Sequence, residues 1–363
     1  MHLILRVARV VQPANIARGL PRAWFWPFLV WEYVMAQRFL VTGGAGYVGS
    51  HLVATLVAGG AEVVVIDDLR QGHRAAVMAP AVLIAGDLAD PAARAEAFAH
   101  GPFAAIFHFA ALSLVGESMA DPLRYFRENV GNGVALIDDA IRHGVPRFVL
   151  SSTANLFGEA VAGPMTEQAP LVPASPYGES KFMLERVLLW ADRVHGLKSA
   201  ALRYFNAAGA DPEGRLGEDH RPETHLIPRA IDAALGRAPE LVVFGTDHPT
   251  HDGTCIRDYI HVSDLASAHL AALRQLDHGS IAYNLGNGAG HSVREVIATI
   301  AAVSGRPVPH RVGPKRAGDP PTLVASSARI QGETGWRPRW PALRDIVETA
   351  YRWRVAHPHG YGD

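Results

Sequence analysis

The sequence predicts an α/β fold, a doubly wound parallel sheet followed by a smaller C-terminal domain. Three observations predict it. Short, continuous apolar runs alternate with helical segments, as strands buried on both faces require. A glycine-rich turn, Gly43-Gly44-Ala45-Gly46-Tyr47-Val48-Gly49, follows the first of those runs directly. Beyond Asn206 the regularity falls away into Pro- and Gly-rich loops at 211–228 and 246–254. In order, Arg38–Thr42 reads as a short apolar strand, Tyr47–Ala58 as an amphipathic helix and Glu62–Asp67 as a β-branched strand. Further buried strands are expected at Val82–Ala85, Ala104–Phe109, Arg147–Ser151 and Ser199–Tyr204, with helices notably at Asp121–His143 and Pro176–Val194. The pattern is Rossmann-like. Residues 37–205 form the expected first domain and residues 206–363 mainly the second, with some of its segments returning to the first sheet. No repeat or low-complexity tract interrupts the chain.

Bulk composition excludes several classes. The 363 residues carry 34 Lys and Arg against 35 Asp and Glu, a formal net charge of -1. That balance leaves no electrostatic footprint for nucleic acid or an anionic membrane. A single cysteine, Cys255, excludes an internal disulfide framework and fits a reducing, cytoplasmic setting. The 18 histidines are scattered, and no His-x-x-x-His pair or Cys/His cluster with ligand spacing is visible, so no metal is expected. Residues 1–36 stand apart as an extension expected to be poorly ordered. Trp24 to Met35 reads WFWPFLVWEYVM, too short for a span and broken by Pro27 and Glu32. It lacks a small-x-small cleavage site. A membrane-interface role for its tryptophans and a start placed too early, just ahead of Met35-Ala36-Gln37, both remain open.

The glycine turn points to a dinucleotide. Gly43, Gly46 and Gly49 give a GxxGxxG spacing between strand and helix, where backbone at Tyr47 and Val48 approaches a pyrophosphate at the positive helix N-terminus. Asp67 ends the next strand and is positioned to accept from the adenosine ribose hydroxyls. Its charge would repel a ribose phosphate, which favours NAD over NADP. Asp68 is a further cofactor candidate or a solvated turn carboxylate. Asp87 and Leu88 end the third strand, where Asp87 could meet the adenine amino group or serve as a helix N-cap. Phe109-Ala110-Ala111 ends the fourth strand, small enough for close contact or simply for sheet packing.

The reacting groups lie on the later helix. Tyr177-Gly178-Glu179-Ser180-Lys181 places a phenol and an ammonium at i and i+4, on one helix face. A free tyrosine titrates near ~10. A neighbouring lysine charge and a positive nicotinamide ring are both expected to favour phenolate and lower that value. Thr153, closing a Ser151-Ser152-Thr153 run at a strand end, offers a hydroxyl beside the base or merely caps the strand.

At these motifs the chain resembles the extended short-chain dehydrogenase/reductases, and within them the UDP-glucose 4-epimerase family. Matching stretches run from Phe39 to the C-terminus: VTGGAGYVGSHL, HFAA, VGES, SPYGESK, LRYFNAAGA, DGTCIRDYIHVSDLA and YNLGNG. The long DGTCIRDYIHVSDLA segment is the most specific. The resemblance implies that Tyr177 is the catalytic base and Lys181 holds the nicotinamide ribose, with Thr153 where the family usually has serine. It implies cofactor contact at Phe205 and Asn129, and substrate contact at Asn206, His225 and Leu226. Val242 and Phe244 match residues flanking uracil, Arg257 and Arg316 the arginines that grip the diphosphate, and Asp319 a contact to the uridine ribose. Planar guanidinium forks suit that diphosphate well.

The implied reaction is C4 oxidation of a UDP-sugar by NAD, rotation of the 4-keto sugar and re-reduction, interconverting UDP-glucose and UDP-galactose. A homodimer is implied by resemblance alone. Three departures qualify the match. Ser113 replaces a lysine found near the cofactor phosphates in some members, and Glu128-Asn129 replaces a double asparagine. Leu323 replaces a bulky aromatic, from which tolerance of N-acetylated sugars is expected. The 4,6-dehydratases carry an Asp-Glu pair after the active-site hydroxyl, where this chain has Ala154-Asn155. A catalytically silent NAD-binding regulator would lack the Tyr–Lys pair.

Overall fold

The computed structural model describes residues 34–158, 163–316 and 320–362. The expected extension therefore lies almost wholly outside the described residues. Apolar runs form the central strands β1 (Arg38–Thr42), β2 (Glu62–Asp67), β3 (Val82–Ala85), β4 (Ala105–His108), β5 (Arg147–Thr153) and β6 (Lys198–Tyr204). Helix α1 (Tyr47–Ala58) joins β1 to β2, and α2 (Pro91–Ala99) joins β3 to β4. Helices α3 (Val115–Ala120), α4 (Pro122–Tyr125) and α5 (Asn132–Arg142) precede β5, and α6 (Pro176–His195) precedes β6.

The second half contributes β7 (Asn206–Ala208), α7 (Leu226–Ala234), β8 (Leu241–Phe244), β9 (Ile256–His261), α8 (Val262–Gln275) and β10 (Ile281–Leu285). It ends with β11 (Gly290–Ser292), α9 (Val293–Ser304), β12 (His310–Gly313), β13 (Thr322–Leu323), α10 (Ala328–Thr334) and α11 (Leu343–Ala356).

One seven-stranded, wholly parallel sheet runs β3-β2-β1-β4-β5-β6-β10. The order reverses between β1 and β4, which opens a crevice at the carboxyl ends of those strands. One face buries Leu52 and Leu56 of α1 and Leu265 to Leu273 of α8, and the other buries Phe98, Leu136, Leu184 and Leu188 of α2, α5 and α6. A separate core of Ile227, Ile231, Ile300, Ile346 and Val347 joins α7, α9 and α11. Small sheets carry the rest: β9 pairs with β7, β11 and β13, and β8 with β12. Among the described residues no helix is long and apolar enough to cross a membrane.

Two elements differ from expectation. The single helix expected over 121–143 is interrupted by a π-helical turn, Phe126–Gly131. The wide turn brings Asn129 inward, where its amide accepts from Leu112 N at 2.8 Å and donates to Ser180 Oγ at 3.0 Å. Such turns recur where a side chain must be presented off the regular helix face. Strand β5 runs on to Thr153, two residues beyond its expected end, because β6 continues to pair with it through Tyr204.

Candidate active site

The glycine turn is shaped by steric necessity. Gly43 has φ +69°, and a Cβ there would lie 2.5 Å from Ala110 N. A Cβ on Gly49 would lie 2.2 Å from Gly43 O, whereas one on Gly46 would meet nothing nearer than 3.4 Å. Gly43 and Gly49 thus hold strand, turn and helix together, and Gly46 leaves its side open. Gly46 also N-caps α1 without a side chain, which suits the helix terminus to an anion. Val48 packs on the core, and the Tyr47 hydroxyl donates to Gly209 O at 2.7 Å, tying α1 to the second half.

Asp67 sits buried at the end of β2. Its carboxylate accepts from Ala45 N and Leu69 N, both at 2.9 Å, so it also shapes the turn. Burial raises its pKa despite those hydrogen bonds. Asp68 is a turn carboxylate paired with Arg70 at 2.5 Å and still partly exposed. Arg70 also binds Glu128 at 2.8 Å, which gives the family departure at that position a local partner. Asp87 closes a turn onto Ala89 N at 2.8 Å and is not the N-cap weighed for it; Asp90 caps α2. Leu88 is buried, and Phe109 packs its ring 4.9 Å from His269. Ala110 passes beside Gly43 just after β4, and Ala111 follows it in the chain.

Helix α6 is fixed at both ends, by Ser175 accepting from Gly178 N at 3.1 Å and by Gly196 in the left-handed region. A buried cluster sets its rotation. Glu185 receives Arg203 of β6 through two nitrogens, at 3.0 and 2.6 Å, and Ser152 of β5 at 2.6 Å. Glu185 stands on the same face as Tyr177 and Lys181, two turns beyond the first and one beyond the second. Locking it to the sheet aims both reacting groups at the carboxyl edge.

There the Thr153 hydroxyl faces the Tyr177 phenol closely enough to lower its pKa, and Lys181, only 1% exposed, lies near His108 at the end of β4. His108 bonds Thr42 of β1 at 2.7 Å, which completes a path from the glycine turn to the Tyr–Lys face. The reading of the residues overlooked His108 and Glu185. The HFAA motif held the first, whereas the second has no local signal.

The electrostatics bear on one expectation. Without a nicotinamide ring the phenol of Tyr177 stands above its ordinary value, so the lysine alone does not lower it. Burial raises it, and Thr153 offsets only part of the rise. Lys181 is itself brought down to about 8 by burial.

The second half supplies the remaining candidates. Asn206 donates to Asp258 O at 3.0 Å, and Phe205 stacks near Phe157 with ring centres 6.3 Å apart. Val242 and Phe244 share the face of β8 turned away from its core, and Arg316 lies 3.9 Å over the Phe244 ring. Arg257 donates to Ile256 O at 2.8 Å at the start of β9. Leu226 packs on the α7 core. Asp319 lies outside the described residues.

Most of the DGTCIRDYIHVSDLA signature is scaffold. Asp258 accepts from Asn287, Gly288 and Ala325 backbone N–H groups at 2.8–3.1 Å, and Asp264 from Arg339 and Trp340, both at 2.8 Å. His261 caps α8 through Ser263 N.

One group of carboxylates and imidazoles, outside the Cys/His pattern considered in the sequence, lies close together in the second half. Glu218, His220, Glu223 and His225 each bring one ligand-type atom within 4.8 Å of the others. The two glutamates and two histidines pair with one another across a loop, at 2.7–3.7 Å.

Comparison with known proteins agrees with this arrangement. Residues 39–286 match the NAD dependent epimerase/dehydratase family. A UDP-glucose 4-epimerase from Halalkalibacterium halodurans is 47% identical over 324 residues, 89% of this chain and 97% of that protein. A solved UDP-glucose 4-epimerase superposes with TM-score 0.87 at 44% identity, covering 89% of this chain and 99% of that one. Another, from Brucella ovis in complex with NAD, gives 0.84 at 43% identity over 87% of this chain and 98% of its own. This chain therefore belongs to the NAD dependent epimerase/dehydratase family and, within it, to the UDP-glucose 4-epimerases.

Proposed function

We propose that this chain interconverts UDP-glucose and UDP-galactose, keeping NAD bound throughout. The observation that carries the proposal is the Tyr177 hydroxyl, facing Thr153 and one helical turn from Lys181, at the carboxyl edge beside the glycine turn. The residues suit NAD. Any side chain at Gly43 or Gly49 would collide with backbone, the N-terminus of α1 carries no side-chain cap, and Asp67 at the end of β2 beside that turn would accept from ribose hydroxyls. Bound NAD would supply reversible acceptance of the C4 hydride.

The chain's own residues do the rest. Tyr177 takes the proton from the 4-hydroxyl and returns it after the sugar has turned. Thr153 orients the phenol, and Lys181 holds the nicotinamide ribose and adds positive charge. Arg257 and Arg316 grip the diphosphate, the link about which the 4-keto sugar swings, while Val242 and Phe244 flank the uracil. Asn206, His225 and Leu226 complete the substrate wall. Dehydration has no acid–base pair here: Ala154 is buried, and Asn155 donates to Thr153 at 3.0 Å.

The test is incubation with UDP-galactose. UDP-glucose should appear, and Tyr177→Phe should cut turnover by at least ~10²-fold with NAD content unchanged. Absence of UDP-glucose would overturn the activity, and near-wild-type rates in the variant would overturn the role of the phenol.

A wider sugar range is supported by Leu323, which packs with Ala154, Phe157, Met165 and Phe205 where a bulky aromatic would crowd the C2 substituent. Turnover of UDP-GlcNAc is the expected sign, and its absence at high enzyme concentration would dispose of the idea. We further place the enzyme in the cytoplasm as a homodimer, paired through the exposed apolar face of α6.

A further inference from the structure

The turn after β2 holds a guanidinium that the epimerase chemistry does not use. Each nitrogen of Arg70 is taken by a different carboxylate. Nε donates to Asp68 Oδ2 at 2.5 Å, Nη1 donates to Glu128 Oε2 at 2.8 Å, and Nη2 stands 3.6 Å from Asp87 Oδ2. Asp68 also accepts from the Arg70 backbone N at 2.9 Å. Leu69, just before it, takes φ +61°, a left-handed conformation uncommon for a residue with a bulky side chain. A lone surface ion pair contributes little, but a network around one planar partner fixes a geometry.

This bridge crosses the cofactor crevice. Asp87 follows β3 and Glu128 lies on the π-helical turn beyond β4, while β2 and β1, with its glycine turn, stand between them in the sheet. A dinucleotide at that switch point, with its adenosine ribose on Asp67, brings its base to Arg70 and Asp87. The donors of a guanidinium lie in its plane, and here carboxylates occupy its edges, so a ligand is left the flat face. The Arg70 side chain is 44% exposed, so protein does not cover it. A flat cationic face suits an aromatic base, whereas a phosphate needs the edge donors. Charge points the same way. Asp67, Asp68, Asp87 and Glu128 outnumber Arg70 and Arg124, the latter 3.5 Å from Glu128.

We propose that Arg70 stacks its guanidinium on the adenine of bound NAD, braced in its plane by Asp68, Asp87 and Glu128. The proposal rests on the NAD reading of the crevice. Glu128, one of the positions where the chain departs from its family, is then a positioning residue that acts through Arg70. The brace also withholds the edge donors from a ribose 2′-phosphate, which adds to the exclusion of NADP by Asp67.

The test follows exchange of bound NAD. Cofactor-loaded enzyme is mixed with excess radiolabelled NAD, for wild type, Arg70→Ala, Arg70→Lys and Glu128→Gln. Exchange about tenfold faster is expected in both Arg70 variants, the effect of losing one desolvated cation–π contact. Glu128→Gln should fall between them and wild type. Lysine keeps the charge but not the plane, so a wild-type rate in Arg70→Lys would overturn the stack, and it decides the question even if Arg70→Ala fails to fold. Calorimetry on cofactor-stripped protein supplies a readout that general damage would not mimic. AMP should bind more weakly to Arg70→Lys while UDP binds as to wild type, and equal weakening of both would refute the assignment. Wild-type protein that takes up no NAD would overturn the cofactor reading itself, whereas unchanged exchange in NAD-loaded variants would overturn only the role of Arg70.

Discussion

Lys181 keeps an ammonium in a place that disfavours charge, and the cost should be measurable. Burial brings its pKa from 10.5 to about 8. Below pH ~8 the folded protein carries the full penalty, on the order of 3 kcal/mol at about 1.4 kcal/mol per unit. Between 8 and 10.5 the unfolded chain binds more protons, so stability rises with pH, and above 10.5 the penalty is gone. Lys181→Met should therefore denature later than wild type at pH 7, with the gain shrinking towards pH 10.5 and activity lost. Equal or lower stability of the variant at pH 7 would contradict this account.

The phenol next to it makes the complementary case. Burial alone raises Tyr177, so a cationic ring must bring it down, and the difference in phenolate absorbance between wild type and Tyr177→Phe should shift to lower pH on adding NAD. An unchanged titration would remove the electrostatic argument. Tyr177, Lys181 and the glycines were legible because their chemistry is written at fixed local spacing. The direction of the Tyr177 shift was not, since desolvation depends on β5 and β6, which sequence spacing does not bring to the phenol. The Glu218–His225 group was hidden for a related reason, its geometry arising from a loop rather than a helix.

At the level of elements, α6 does two jobs with opposite faces. Leu184 and Leu188 pack on the sheet beneath Tyr177 and Lys181, whereas Trp190 is 56% and Val194 66% exposed on the other side. Met119 and Leu123 of the neighbouring helices are exposed as well. An apolar stripe of this kind next to a fully packed face would suit the proposed dimer interface. Trp190→Asp combined with Val194→Asp should weaken a dimer by ~30-fold or more, the effect of losing about 2 kcal/mol at an aromatic anchor. Light scattering at micromolar concentration checks it: a monomeric wild type, or a double variant that remains dimeric, would refute the assignment. The helix over 121–143 teaches the limit of periodicity. Its apolar pattern predicted a continuous helix, but the π-helical turn at Phe126–Gly131 follows from Asn129 bonding to Leu112 and Ser180, partners from other segments.

Across the whole molecule, the parallel sheet was legible because its central strands are buried and largely apolar, whereas edge strand β3 buries only Ile84 and β10, which joins from the second half, was not among the strands expected. The second half was less so, its short strands being fixed by backbone bonds to Asp258 and Asp264 rather than by pattern. The proposed site divides along the same line, the cofactor resting on the first half and the uridine diphosphate on the second. That division predicts separable thermal shifts. A ligand at one hundred times its Kd stabilises the folded state by about 2.7 kcal/mol. Protein loaded with NAD should melt above the cofactor-free form, and UDP should add a further increment of its own. Arg316→Ala removes the guanidinium over Phe244, 3.9 Å from its ring centre, while leaving the glycine turn untouched. It should erase most of the UDP increment and none of the NAD increment, and raise KM for UDP-galactose more than it lowers kcat. Were the variant to lose the NAD increment instead, or keep the full response to UDP, Arg316 would not belong to the diphosphate site, and the two ligands would not be held by separate halves of the chain.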